Sequence, residues 1–192
     1  MTTETGSLAE YRFKTGSNRL GLWLFLLSDA FVFAGLLVAR FYLLGVEYHP
    51  EANQLLGLGI TLMLLVSSYF MFRAETLMSF GDVKGFLRSV QVTLGSGTLF
   101  VFGVVGVEWQ IAPAGADAGP AWSLFYAMTG FHAFHVFTGL ILLYVVWRKA
   151  KRGLYTAERH WGVEAAAVYW HFVDVVWFFF YVALYLIGKP II

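Results

Sequence analysis

Apolar residues in this chain fall into long runs separated by short polar stretches. Five such runs cover residues 20–44, 54–72, 89–107, 122–147 and 165–188. Each meets or approaches the ~20 residues that carry an α-helix across a hydrocarbon core. The second, third and fourth contain no Asp, Glu, Lys or Arg. Strands of a membrane barrel would be ~10 residues long with alternating polarity, a pattern not seen in these runs. The pattern predicts an all-α integral membrane bundle of five transmembrane helices. A polar tail over residues 1–19 precedes a single membrane domain over residues 20–192.

Composition agrees. Of 192 residues, 59% are hydrophobic and 13% charged, where soluble domains carry about 25% charged. A net charge of +1 lacks the basic surplus of a nucleic-acid binder. With no cysteine, disulfides, Cys-ligated zinc and iron–sulfur clusters are excluded. The first run is too long for a signal-peptide core and lacks an Ala-x-Ala exit, so a retained helix is expected. Pro113, Gly115, Gly119 and Pro120 mark a turn connection.

The placement of basic residues gives an orientation. Arg12, Lys14 and Arg19 precede the first run; Arg73, Lys84 and Arg88 lie between the second and third. Arg148, Lys149, Lys151, Arg152 and Arg159 lie between the fourth and fifth. Eleven of the thirteen basic residues thus fall on one side, which the positive-inside rule makes cytoplasmic. The expectation is N-terminus cytoplasmic, C-terminus outside. Arg40 and Lys189 are the exceptions, near the outer ends of helices.

Candidate chemistry resides in the few ionisable groups within the runs. Asp29, after Ser28, stands in the middle of the first. A carboxyl at that depth is costly and usually turns toward protein or a wet cavity; it either handles a proton or joins helices by hydrogen bonding. His132 and His135, three apart in the fourth run, share one helix face. That spacing presents two imidazoles to a metal only if other helices add ligands, so hydrogen bonding across helices is expected and no metal site is assigned.

In the fifth run Trp170, His171, Asp174, Trp177 and Tyr181 form one polar, aromatic stripe. It reads as a helix-packing network, His171 and Asp174 satisfying each other or neighbouring helices. Glu108, at the outer end of the third run, reads as an interfacial cap or a solvated group. Gly95, Gly97, Gly103 and Gly106 in the third run suggest close backbone approach. The basic connection over residues 148–159, with Tyr155, suits anionic headgroups as well as topology.

Three segments carry a resemblance. Leu22-Trp-Leu-Phe-Leu-Leu-Ser-Asp29, Thr129-Gly-Phe-His-Ala-Phe-His-Val136 and His160-Trp-Gly-Val-Glu-Ala-Ala-Ala-Val-Tyr-Trp-His-Phe-Val-Asp-Val-Val-Trp177 resemble subunit III of the haem-copper terminal oxidases. The likeness runs from about residue 19 to 188, with the motifs in the family's order. It implies a non-catalytic subunit of a cytochrome c oxidase in a bacterial cell membrane, serving aerobic respiration. Such a subunit supports stability and proton uptake of the catalytic subunit during electron transfer to oxygen and proton translocation. Haem and copper would belong to partner subunits I and II, not to this chain, and a respiratory supercomplex fits the same role.

The resemblance further implies a phospholipid cleft, a buried carboxyl at Asp29 near His132 and His135, and a packing network that includes His171, Asp174 and Glu164. Headgroup contacts would fall on Arg148 or Lys149, with Tyr155 beside them. Two departures keep the electron donor open. Seven-helix members carry two further N-terminal helices, and a Ser-Asp pair at this position is more like five-helix quinol oxidases. An accessory subunit of a nitric oxide reductase is a third implied reading.

Overall fold

The computed structural model describes residues 8–45, 47–48, 54–112, 119–187 and 189–190. Within hydrocarbon every backbone N–H and C=O must find its partner inside its own segment, and all five apolar runs are helical. The first helix is Leu8–Leu44 and the second Gln54–Ser79. The third, Val83–Ile111, begins as α-helix (Val83–Val101), passes through a π-helical stretch (Phe102–Glu108) and ends in one α turn. The fourth is Gly119–Lys151. The fifth, Trp161–Leu186, closes with a π-helical stretch, Val182–Leu186.

All five are long and apolar enough to cross a membrane. The first helix has 37 residues, about 55 Å at 1.5 Å per residue, well beyond a ~30 Å core. Its surplus extends into the segment read as a polar tail, because Leu8–Arg19 docks on the start of the fifth helix. The Tyr11 hydroxyl accepts from the Trp161 backbone N–H at 3.0 Å, and Arg19 meets Glu164 at 2.6 Å.

The second and third helices are the most closely packed pair, joined by a tight turn. Gly81, at φ 79°, ends one helix with its N–H on the Met78 carbonyl. Asp82 then starts the next, its Oδ1 accepting from Gly85 N–H at 2.9 Å. The fifth helix packs against the first, second and fourth. Its buried Trp170 and Trp177 donate to Ser67 Oγ and Thr61 Oγ1 of the second, both at 3.0 Å. Gln54 Nε2 donates to the Tyr185 carbonyl at 2.8 Å.

Of the glycines expected to allow close approach, Gly97 and Gly103 do so. A Cβ on Gly97 would sit 2.6 Å from Trp170, and one on Gly103 3.0 Å from Ile60. Gly106 has Phe102 of its own helix as its nearest neighbour, and Gly95 faces open space. The first helix packs through one seam, Leu26, Phe33 and Arg40, all buried and seven residues apart. Arg40, an exception to the charge pattern, therefore has a structural task. Its guanidinium donates to Ala183 and Gly45 carbonyls, which helix ends leave without intrahelical partners. At this end Glu47–Tyr48 pairs in parallel with Lys189–Pro190.

Candidate functional site

The first, fourth and fifth helices enclose a cleft of about 450 Å³, lined by Asp29, His135, Thr138 and Tyr169 among apolar side chains. His135 Nδ1 lies 2.8 Å from the Phe131 carbonyl. A carbonyl only accepts, so that nitrogen carries a hydrogen. The other nitrogen, Nε2, faces Asp29 Oδ2 at 3.6 Å. Oδ2 is buried without a hydrogen-bond partner among the described residues. Two lone pairs would repel across this gap, whereas one further proton on either group makes the contact attractive. The pair thus brings a carboxyl and an imidazole together at the cleft wall.

Its surroundings fix the ring. Phe33 meets His135 edge-on with centroids 4.8 Å apart. Thr138 donates to the His135 carbonyl at 2.9 Å and shares a 2.8 Å hydrogen bond with the Tyr169 hydroxyl. Phe25 stacks on Tyr169.

His132 does not join this pair. It is wholly buried, with its ring 4.9 Å from that of Trp177 and 5.5 Å from that of Phe100. Neither of its nitrogens has a hydrogen-bond partner among the described residues. The i, i+3 spacing gives the expected shared face, but the ~60° offset sends one ring to the cleft and the other into the core. Among the described residues no three His, Asp or Glu side chains converge on one point.

The stripe on the fifth helix bonds the second through Trp170, His171 and Trp177, and His171 and Asp174 do not pair. His171 Nδ1 bonds Ser68 Oγ at 2.8 Å, while both Asp174 oxygens are buried without a hydrogen-bond partner among the described residues. Glu164 lies outside this seam, at the basic end, 3.6 Å from His160 and 2.6 Å from Arg19.

Glu108 departs from its reading as a solvated cap: it is 5% exposed and accepts from the Tyr185 hydroxyl. Each partner lies in a π-helical stretch. One wide turn rotates side chains off the α-helical register, so a 3.6-residue period read along the sequence does not give the facing of either group. The only prior signal was a carboxyl at the end of an apolar run.

Of the headgroup candidates, Arg148 and Lys149 are exposed on the last turn of the fourth helix. Tyr155 is half-buried with its hydroxyl against Gly162. Burial, reinforced by Tyr11, pushes its phenol above the ordinary range.

Comparison with known proteins agrees with this architecture. The family model for cytochrome c oxidase subunit III matches residues 5–189. The chain is 35% identical over 176 residues to cytochrome c oxidase subunit 3 of Thermostichus vulcanus, covering 88% of this chain and 87% of that protein. It is 35% identical over 174 residues to that of Synechocystis sp., covering 87% and 74%. To that of Dasypus novemcinctus it is 35% identical over 184 residues, covering 89% and 70%. This five-span membrane chain therefore belongs to the cytochrome c oxidase subunit III family.

Proposed function

We propose that this chain is the non-catalytic subunit III of a bacterial respiratory cytochrome c oxidase, docked on catalytic subunits I and II. Those partners hold the haem and copper and reduce oxygen. This chain keeps the catalytic subunit stable and supplied with protons. The observation that carries the reading is the Asp29–His135 pair, 3.6 Å apart on the wall of a cleft within the membrane domain. A carboxyl and an imidazole set side by side at that depth are groups a proton path would use.

The same reading places the basic end of the bundle in the cytoplasm of a bacterial cell membrane. Lys149 follows Leu142, Thr138 and His135 by seven, eleven and fourteen residues, close to whole helical turns, and so stands over the Asp29 cleft. A phospholipid there would lie along the cleft with its headgroup at Lys149. Each basic residue beside the surface adds about 1 kcal/mol of attraction. Cytochrome c is preferred to quinol as donor because the relatives are named cytochrome c oxidases.

The test is purification of the tagged chain from its native membranes in mild detergent. The expected product shows haem and copper spectra and consumes oxygen with reduced cytochrome c. Recovery without haem or copper overturns the oxidase assignment. Oxygen uptake with quinol alone overturns the donor.

A further inference from the structure

A second groove opens on another side of the fourth helix, between it and the third, with a volume of about 590 Å³. Phe137, Ile141 and Tyr144 form one wall; Phe102 and Val105, from the π-helical stretch, form the other. The Thr98 hydroxyl on this lining already donates to its own helix, at Leu94. Arg148 follows Tyr144, Ile141 and Phe137 by four, seven and eleven residues. That places it over this groove, on a different face from Lys149.

The basic end of the groove is an aromatic shelf carrying cations. Tyr144 and Trp147 stack at 6.1 Å between centroids. The Arg148 guanidinium lies 5.9 Å over Tyr144, and the Lys151 ammonium 5.2 Å over Trp147. Tyr and Trp at this depth mark the headgroup region. A planar guanidinium matches a phosphate in bidentate fashion. A docked transmembrane helix would call for small residues on the walls, yet these walls are mostly phenyl, phenol and branched aliphatic groups. Bulky apolar walls under two cations suit a fatty chain with an anionic head.

We propose that the groove between the third and fourth helices holds an acyl chain of one anionic phospholipid, whose phosphate rests between Arg148 and Lys151. This site is separate from the Asp29 cleft beneath Lys149.

The experiment is a phospholipid count, by native mass spectrometry, on the complex purified with this chain. Ile141→Trp, which fills the groove, and the double variant Arg148→Gln/Lys151→Gln should each lower the anionic phospholipid count by one, and the two changes combined should lower it by no more than one. An unchanged count in both groove variants overturns the site, and so does a combined loss of two, which would place the cations and the groove at different lipids. Should Ile141→Trp fail to assemble, a photoactivatable benzoylphenylalanine at position 141 gives the second readout. A phospholipid adduct supports the proposal; an adduct to a protein subunit overturns it. Haem content, read on the same sample, reports separately on the oxidase assignment.

Discussion

His135 commits one ring nitrogen to the Phe131 carbonyl and turns the other toward Asp29, 3.6 Å away. A carboxyl in mid-membrane thereby gains a fixed neighbour on the fourth helix. Two imidazoles a single helical turn apart have opposite fates, since His132 is sealed among aromatic rings.

Asp29→Asn removes the carboxyl and keeps its shape. The complex should assemble with full haem content, and steady oxygen consumption should fall by less than about tenfold, within ~1.4 kcal/mol of activation free energy. The chemistry belongs to another subunit. An assembled variant with no oxygen consumption would contradict this role for Asp29.

The two histidines should respond with opposite signs. A buried polar group without a partner costs about 1–3 kcal/mol, and replacing it by an apolar group of similar volume recovers part of that. Thermal unfolding of the complex should therefore be unchanged or raised by His132→Leu. His135→Leu, which breaks two contacts, should lower it. Equal destabilisation by both would count against the buried environment assigned to His132.

Glu108 and Tyr185 should be energetically coupled. In a double-mutant cycle of Glu108→Leu and Tyr185→Phe, the shared hydrogen bond should appear as about 1–2 kcal/mol of interaction energy. Additive effects would show that the two groups do not meet in the assembled protein.

Gly97 and Gly95 differ in what a side chain would touch. A Cβ at Gly97 collides with Trp170, so Gly97→Val should cost about 1–3 kcal/mol through overpacking. Gly95 has open space, and Gly95→Ala should be neutral or stabilise by up to ~1 kcal/mol through lower chain entropy. Thermal shift assays on the two variants distinguish these outcomes.

The number, type and approximate span of the helices were legible in the chain, because hydrocarbon leaves a backbone segment no other way to bond its own polar groups. The place of Asp29 in mid-helix and the shared face of His132 and His135 followed from helical period alone. Tertiary structure decided the rest. Which imidazole meets the carboxyl depends on how the first helix is rotated, set by the Leu26–Phe33–Arg40 seam. The Glu108–Tyr185 contact joins two π-helical stretches, which break the period any sequence reading must assume. Partners on different helices are chosen by packing angle and rotation, which arise only when the helices close on one another.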